Sequence, residues 1–174
     1  LLEDMQTDVQ RLERITERFS KIGSQPALVN TSISPIIAQT VSYLQRRISS
    51  RITITSHIYQ DVELPLSAPL FEWVLEVLCK NSADAMSGTG SIEISGQIKD
   101  GRYIIDVTDT GKGIARKNFS SVFKAGYTTK QRGWGLGLSL SKRIIEKYHH
   151  GRIYVFQSIV GKGTTFRIEL PLVS

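Results

Sequence analysis

The first 22 residues repeat apolar positions at the spacing of a coiled coil. The seam positions recur alternately three and four residues apart. They are Leu2, Met5, Val9, Leu12, Thr16 and Phe19. A helix with one apolar stripe needs a surface to cover it, so the segment is either one helix of a coiled coil or a surface helix lying on its own domain. Gly23 and Pro26 end this helix, and residues 23–33 are predicted to be a linker.

Helical periodicity returns three times further along the chain. Ser34-Pro35 predicts a helix start, with Ser34 as the cap and Pro35 in the first turn. The apolar positions of this helix are Ile37, Val41, Leu44 and Ile48. Residues 68–86 predict a longer helix, and residues 136–148 predict a third helix that Gly151 stops.

Alternating patterns predict five strands between and after these helices. Residues 51–59 form one strand, and 90–108 form a hairpin that turns at Asp100-Gly101. Residues 152–158 and 164–171 form the last two strands. Residues 109–134 have no clean period and several glycines, which predicts a functional loop with short helical turns. This order predicts an α+β fold, a two-layer sandwich with helices on one face of a mainly antiparallel sheet.

Composition excludes some classes of protein and leaves others. The 174 residues carry a formal charge of +6, but the basic residues are scattered, which argues against a nucleic-acid partner. No apolar stretch is long enough to span a membrane. The single cysteine, Cys79, has no internal partner for a disulfide, so we expect the reducing environment of the cytoplasm. The chain begins with Leu1 inside a helical pattern, which predicts a fragment of a longer protein.

Three glycine-containing segments lie where strands or helices end. Asp109-Thr110-Gly111-Lys112-Gly113 follows an apolar strand, and a carboxylate there accepts a hydrogen bond from a ligand amino group or simply forms a turn. Residues 133–138, Gly-Trp-Gly-Leu-Gly-Leu, open a helix and either bind an anion through backbone N–H groups or serve packing. No βαβ unit and no Gly-Lys-Ser/Thr surrounds them, so neither a dinucleotide fingerprint nor a Walker loop is present. Residues 161–165, Gly-Lys-Gly-Thr-Thr, alone predict only a turn.

Asn81 is unusual within its predicted helix. Asparagine is a poor helix former, and the spacing from Trp73, Val77 and Leu78 places Asn81 on the apolar face. A half-buried amide must be satisfied. Asn81 is therefore either hydrogen-bonded in the core or an oxygen ligand for a hard cation that bridges phosphates.

Taken together and in this order, these segments resemble the GHKL ATPase superfamily. That group contains histidine kinases, type II topoisomerases, heat-shock chaperones of the ninety-kilodalton class and mismatch-repair proteins. The resemblance covers about residues 30–172. It implies a Bergerat-type mixed sheet with helices on one face, and ATP and Mg²⁺ as cofactors.

The resemblance also implies roles for individual residues. Asn81 would hold Mg²⁺, Asp109 would bind the adenine amino group, and Thr165 would lie near the adenine. Gly111 and Gly113 would let the chain pass close to the base. The phosphates would be cradled by Gly133, Gly135 and Gly137. Further nucleotide contacts would come from Asp84, Ile114, Phe123, Tyr127, Thr128, Leu136 and Leu138.

Within the superfamily, several details resemble sensor histidine kinases. Val122-Phe123 and residues 127–130, Tyr-Thr-Thr-Lys, look like their phenylalanine box and lid, and residues 135–142 look like their second glycine box. Lys130 and Arg132 at the end of the lid would reach the γ-phosphate or be solvated charges. Residues 1–25 would be the C-terminal helix of a dimerisation hairpin with the start of a linker, and 26–174 the catalytic ATP-binding domain.

The chain departs from the family pattern at three places. Val77 stands where many histidine kinases have a second Asn, and Ser82 stands where Ala is usual. Glu76 resembles the water-activating Glu of hydrolysing relatives, but its offset from Asn81 is five residues where theirs is four, which argues against that role. None of His57, His149 and His150 suits a phosphoacceptor, because the first lies in a predicted strand and the others end a helix.

The function expected from the resemblance is a protein-histidine kinase. The domain would transfer the ATP γ-phosphoryl group to a His on a dimerisation hairpin, its own or its partner's, for relay to a response-regulator receiver Asp. The acceptor His is absent from the chain, so the fragment alone would not autophosphorylate. We expect a homodimer in the full-length protein. The alternatives are another GHKL ATPase, a serine-directed kinase, or a degenerate module that binds nucleotide or a partner without phosphoryl transfer.

Overall fold

The structure is a computed structural model that describes residues 25–128 and 135–173 together with Gln6, Val9, Gln10 and Glu13. These four isolated residues are helical and exposed, but the rest of the seam predicted over residues 1–22 lies outside the described residues. The expectation that residues 1–25 form a hairpin helix therefore stays a prediction.

A small two-stranded sheet opens the described part of the chain. Strand β1 (Val29–Ser32) pairs antiparallel with β3 (Glu63–Leu66). The linker predicted over residues 23–33 is thus wrong for its last five residues: Ile33 begins a helix, and residues 29–32 form β1. Their sequence, Val-Asn-Thr-Ser, has no apolar alternation of its own, and it is the pairing with a distant strand that makes it extended. The partner strand anchors the pair, since Leu64 and Leu66 are each 1% exposed.

Helix α1 (Ile33–Gln45) follows β1 directly and is capped from outside the helix. It begins at the cap residue Ser32 rather than at the predicted Ser34. Asp61 explains the difference, because its carboxylate accepts the Ser34 N–H at 3.0 Å and the Ser32 hydroxyl at 2.8 Å. Burial acts to raise the pKa of Asp61, but these hydrogen bonds outweigh it and the pKa is lowered.

Helix α2 (Ala68–Asp84) lies at the centre of the helical layer. It has Pro69 in its first turn, where a missing N–H costs no hydrogen bond. Its predicted inward positions are confirmed. They are Leu70, Val74 and Leu78, which are at most 2% exposed, and the partly buried Trp73 and Val77. Met86, just beyond the helix, is also buried.

The main sheet has five strands in the order β2-β4-β5-β7-β6. They are β2 (Ile52–Ile58), β4 (Gly90–Lys99), β5 (Arg102–Asp109), β6 (Arg152–Ile159) and β7 (Gly163–Pro171). Only the β2–β4 pair is parallel. The predicted turn between β4 and β5 is confirmed, and Asp100 and Gly101 both have positive φ, 51° and 73°. A mixed, mainly antiparallel sheet results, as predicted.

The edge strand β2 is covered by a side chain from α1. The Gln45 amide donates to the Ile52 carbonyl and accepts the Ile54 N–H, both at 2.9 Å. Gln45 therefore takes the place of a neighbouring strand on that edge. This blocks the unpaired backbone groups to which another chain would otherwise add.

The two faces of the sheet differ in chemistry. The face toward the helices is apolar, and Ile105 and Ile168 there are fully buried. On the opposite face Arg167 forms a bidentate pair with Asp106, at 2.8 and 2.9 Å, and its guanidinium stacks 3.4 Å from the ring centroid of Phe156. Within the described ranges this face has polar pairing in place of helical cover, and the two-layer prediction is confirmed.

The long loop and the last helix complete the described chain. Residues 110–128 contain two short 3₁₀ turns, Arg116–Asn118 and Ser121–Phe123, as predicted. Helix α3 (Gly137–Arg143) continues as a π-helical turn, Ile144–Tyr148. Among the described residues no helix is both long and apolar enough to cross a membrane.

His149 joins the end of this last helical segment to the start of α2. Its Nε2 accepts the Ser67 N–H at 3.0 Å, and its Nδ1–H donates to the Ile144 carbonyl at 2.9 Å. The ring is 3% exposed. Burial lowers the pKa of His149, the nearby His150 lowers it further, and the Ile144 carbonyl opposes both. A neutral ring suits both bonds, so His149 is a buried connector between these two segments.

The stability of the fold should therefore decline in mild acid. The unfolded His149 takes up a proton near its ordinary pKa of 6.5, whereas the folded ring resists protonation until a lower pH. The contribution of His149 to the free energy of unfolding should be constant above about pH 6.5 and should fall as the pH drops below 6.5. Urea unfolding of the wild type and of His149→Gln between about pH 5 and pH 8 tests this.

The exposed His57 supplies the control for this experiment. The side chain of His57 is 55% exposed, so His57→Gln should keep the wild-type dependence on pH. His149→Gln should flatten it. An unchanged pH slope in His149→Gln would contradict the assignment.

Candidate nucleotide-binding site

Asp109, the last residue of β5, is buried and holds two loops together. Its Oδ1 accepts the Gly111 N–H at 2.8 Å and the Thr164 N–H at 3.3 Å. The residue is only 5% exposed. Both backbone bonds fall on Oδ1, which leaves Oδ2 free of these two donors. The geometry agrees with a carboxylate that accepts from a ligand amino group.

The pKa of Asp109 reflects this position. Burial raises it above its ordinary value, while the Gly111 N–H, the Ser82 hydroxyl and the Thr164 N–H act to lower it. Ser82 lies close enough to interact with the carboxylate, yet no described protein atom forms a hydrogen bond of acceptable geometry with its hydroxyl. Ser82 itself is 1% exposed. Asp109 thus lies beside a buried hydroxyl.

The closing hairpin is bonded to the same strand end. Thr165 and Thr108 lie opposite each other in the β5–β7 register, and their hydroxyls are 2.9 Å apart. The Ser158 hydroxyl accepts the Ile114 N–H at 2.7 Å and donates to the Gly163 carbonyl at 3.0 Å. The hairpin at residues 159–163, which alone predicts only a turn, is therefore part of the wall around Asp109.

Gly111 and Gly113 are required by the packing of the protein itself. A Cβ on Gly111 would lie 2.7 Å from the Cβ of Ala85, at the end of α2. A Cβ on Gly113 would lie 2.3 Å from the Ile159 carbonyl oxygen, and the φ of Gly113 is +76°. These close approaches hold the loop between α2 and the hairpin. Any contact with a nucleotide base comes in addition to this packing role.

Gly135 and Gly137 pack at the base of the lid. The Gly126 N–H donates to the Gly135 carbonyl at 3.0 Å, and Gly135 has a φ of +64°. A Cβ on Gly135 would lie 2.6 Å from the Gly126 carbonyl carbon. A Cβ on Gly137 would lie 3.1 Å from a methyl group of Val77. The two ends of the lid therefore meet, and Val77 faces the start of α3.

Helix α2 carries side chains toward both ends of the site. Val77 faces Gly137, Ser82 faces Asp109, and Asn81 lies between them in sequence. Five residues of helix place the two ends about 7.5 Å apart along its axis. Asn81 is half-buried, whereas Asp84 is exposed at the end of the helix. The loop end and the lid end of the site thus share one rigid element.

The side chain of Asn81 suits a metal ion that is held mainly by phosphates. No cluster of three or more His, Cys, Asp or Glu side chains suited to a metal ion exists among the described residues. Mg²⁺ in phosphate sites uses one or two protein oxygens and otherwise phosphate and water. The side-chain oxygen of Asn81 meets that requirement.

Glu76 faces away from this site. It is 9% exposed and lines a groove of about 500 Å³ between α1 and α2, together with Tyr43, Arg46 and Glu72. The adjacent Val77 instead faces Gly137. This placement supports the sequence argument against a water-activating role for Glu76.

The aromatic anchor of the lid is packed as expected. Phe123 is 8% exposed and meets Phe166 edge-on, with ring centroids 6.0 Å apart. Lys142 lies 5.6 Å from the centroid of the Phe123 ring. Near these rings, Tyr127 and Leu138 are partly buried against the core. Thr128 and Leu136 are exposed.

Three predicted residues lie outside the described part of the chain: Lys130, Arg132 and Gly133. Sequence reasoning missed two residues that lie beside Asp109, Thr164 and Ser82. Thr164 donates its backbone N–H to Asp109, which no side-chain pattern indicates. Ser82 stands where Ala is usual, and its hydroxyl in place of a methyl group on a buried helix face is a usable sequence signal.

The comparison with protein families decides the identity of this site. The model described as histidine kinase-, DNA gyrase B- and HSP90-like ATPase matches residues 67–174, more than half of the chain. The chain belongs to this ATPase family. The matched range contains α2, Asp109, the lid and the closing hairpin, so the resemblance to the GHKL superfamily is confirmed.

The relatives of this ATPase domain include bacterial kinases. The sensor histidine kinase ZraS of Salmonella typhimurium is 40% identical over 102 residues, which cover 58% of this chain and 22% of ZraS. Sporulation kinase E of Bacillus subtilis is 29% identical over 171 residues, covering 95% of this chain and 23% of that kinase. The chain spans less than a quarter of the length of either relative.

Solved structures share the fold. The nucleotide-free catalytic domain of histidine kinase ThkA superposes with a TM-score of 0.74 at 24% identity, covering 84% of this chain and 96% of that domain. Full-length ShkA in complex with AMPPNP gives a TM-score of 0.75 at 23% identity, covering 90% of this chain and 34% of ShkA. At these identities the likeness establishes the fold of the ATPase domain.

A pair of glycine substitutions tests the close packing around the site. Gly113 and Gly101 have nearly equal φ, +76° and +73°, but a Cβ meets a carbonyl only at Gly113. Gly101→Ala should cost about 1 kcal/mol of unfolding free energy for its positive φ. Gly113→Ala should cost at least about 2 kcal/mol more because it also overpacks. Urea unfolding measures both, and equal losses would contradict the close approach.

Proposed function

We propose that this ATPase domain is the catalytic domain of a sensor histidine kinase, which transfers the γ-phosphoryl group of ATP to a His on a dimerisation hairpin. The observation that carries the proposal is the buried Asp109 at the end of β5, whose Oδ1 accepts two backbone N–H groups, which leaves Oδ2 free of these two donors. Family membership and kinase relatives such as ZraS support it.

The adenine would lie against Asp109 and the closing hairpin. Its amino group would donate to Oδ2, while Thr165 and Ile114 would line the pocket. Gly111 and Gly113 would bring the backbone near the base. Burial strengthens the bond to the carboxylate, since water competes poorly in an enclosed site.

The phosphates would lie at the other end of α2. Backbone N–H groups of the segment from Gly133 to Gly137, with Leu136 and Leu138 beside them, would hold the anion where α3 begins. Lys130 and Arg132 would approach the γ-phosphate from the lid. Phe123, Tyr127 and Thr128 would anchor that lid, and Asp84 would lie at the rim of the site.

Asn81 would hold Mg²⁺ through its side-chain oxygen. The chemistry that Mg²⁺ would supply there is neutralisation of phosphate charge. The protein's own contribution is positioning, because phosphoryl transfer needs little covalent help from side chains. Many relatives have a second Asn at the position of Val77. Because the apolar Val77 cannot bind a metal, that role would fall to Asn81 on this helix face.

The partners follow from the same proposal. Residues 1–25 would be the second helix of the dimerisation hairpin and residues 26–174 the catalytic domain, in a homodimeric parent protein located at least in part in the cytoplasm. A response-regulator receiver would take the phosphoryl group. A ThkA structure with the response regulator protein TrrA illustrates such a pair at 22% identity to this chain.

Substitution of Asp109 tests the nucleotide site. Asp109→Asn keeps an Oδ1 acceptor for Gly111 and Thr164 but turns the other atom into a donor, which opposes the adenine amino group. The affinity for a fluorescent ATP analogue, measured with and without Mg²⁺, should fall by about tenfold or more. Asp100→Asn is the control, because Asn tolerates the positive φ of that turn. A wild type that folds but does not bind would refute the proposal.

Phosphoryl transfer is tested in the full-length parent protein. Incubation with labelled ATP and Mg²⁺ should give acid-labile, base-stable phosphohistidine. Asn81→Ala should abolish this product and remove the Mg²⁺-dependent part of ATP affinity, while its Mg²⁺-free affinity stays near that of the wild type. Wild-type ATP binding without any phosphohistidine would favour a degenerate module over a kinase.

A further inference from the structure

His149 is a buried side chain that the proposed phosphoryl transfer does not use. It is 3% exposed, and both of its ring nitrogens have main-chain partners. Nε2 accepts the Ser67 N–H at 3.0 Å, and Nδ1–H donates to the Ile144 carbonyl at 2.9 Å. Because the Ser67 N–H needs an acceptor, the ring is held in its neutral form with the proton on Nδ1.

Helix α3 and its π-helical turn rest on α2 at two points. At the start of α3, a Cβ on Gly137 would lie 3.1 Å from a methyl group of Val77. At the other end, His149 bonds to Ser67, the N-cap residue of α2. The two points are about 15 Å apart along α2 and about 18 Å apart along the other segment. The two helical segments are therefore antiparallel, and contacts at both ends set the position of α3 on α2.

The chain around His149 is itself firmly held. The His149 N–H donates to the Ile144 carbonyl at 3.2 Å, which closes the π-helical turn. The Gly151 N–H donates to the Ile145 carbonyl at 2.9 Å, and a Cβ on Gly151 would strike the Glu169 carbonyl oxygen of β7. Turns of this kind are rare and frequently occur at functional sites. His149 thus joins a segment that is fixed to the sheet to the start of α2.

A proton on the ring would break the bond to α2. The imidazolium carries an N–H on both nitrogens and has no acceptor. Its Nε2–H would face the Ser67 N–H, donor against donor, while the bond from Nδ1–H to the Ile144 carbonyl would remain. The two protonation states therefore differ at the contact between His149 and α2.

The surroundings of the ring favour the neutral state near neutral pH. Burial lowers the pKa of His149, and the neighbouring His150 lowers it further. From α2 the ring faces the uncharged Phe71, with ring centroids 6.3 Å apart. The charged residues of the turn, Glu146 and Lys147, are exposed. Mild acid is therefore needed to protonate the ring in the folded protein.

We propose that His149 is a positioning residue for the phosphate end of the nucleotide site: its neutral ring holds the start of α3 in place on α2, and a proton on the ring releases α3 and weakens ATP binding. The inference rests on the proposed function, which places the phosphates where α3 begins. His149 touches neither the nucleotide nor the metal in this assignment.

Two variants test the positioning role at pH 8. His149→Ala removes the bond to Ser67, so ATP affinity should fall about three- to thirtyfold. His149→Gln places a neutral amide oxygen near the position of Nε2 and should bind ATP within about twofold of the wild type. Adenosine has no phosphates, and its affinity, measured by competition with a fluorescent ATP analogue, should change little in either variant. Equal losses of ATP and adenosine affinity in His149→Ala would indicate general damage to the fold and overturn the proposal.

The pH profile tests the role of the proton. ATP affinity of the wild type should fall more steeply than that of His149→Gln between pH 8 and about pH 5. The terminal phosphate of ATP titrates in the same range, but it does so equally for both proteins, so the difference reports on His149. The exposed His57 supplies the control, because His57→Gln should follow the wild type. Circular dichroism at each pH checks that all three proteins are folded, and parallel profiles for the wild type and His149→Gln would overturn the proposal.

The reciprocal effect of ATP on the ring is measured by NMR. If the neutral ring favours ATP binding, ATP must in turn favour the neutral ring. Saturating ATP should therefore lower the pKa of His149, read from its imidazole signal, and leave that of His57 unchanged. A wild type that does not bind ATP at pH 8 refutes the nucleotide site itself. Binding that depends on Asp109, combined with a pKa of His149 that ATP does not change, refutes only the positioning role.

Discussion

The site depends on a buried carboxylate that accepts two backbone N–H groups of the described chain on one of its oxygens. Asp109 ends the central strand β5, and its Oδ1 binds the backbone of the following loop and of the closing hairpin. These bonds offset the cost of burying the group. They also fix where Oδ2 lies, since the strand, the loop and the hairpin are each held in the surrounding sheet. A binding oxygen is thus positioned by main-chain bonds rather than by a mobile side chain.

Helix α2 fixes the positions of the other residues of the site. The inner face of α2 packs into the core. This packing also fixes the directions of the side chains on the adjacent face of the helix. Val77 touches the start of α3, Ser82 lies beside Asp109, and Asn81 falls between them. The base of the lid is fixed in the same way by the Gly126–Gly135 backbone bond. Both ends of the candidate site therefore lie on one rigid helix.

The arrangement also explains why glycines recur around the site. Gly111, Gly113 and Gly135 each lie where a Cβ would strike a neighbouring segment. They allow α2, the loop, the hairpin and the lid base to approach one another closely. The motif that identifies the family is therefore also a packing motif. Its glycines serve the architecture even before a ligand is considered.

The sequence by itself determined the elements and the family. Local patterns predicted the helices, the five strands of the main sheet, the Asp100-Gly101 turn and the order of the glycine segments, because short-range sterics and periodicity control these features. Tertiary structure decided the rest. The β1–β3 pair, the capping of α1 by Asp61 and the position of the Ser82 hydroxyl beside Asp109 depend on residues distant in sequence. Such contacts form only when the whole chain packs, so no local pattern encodes them.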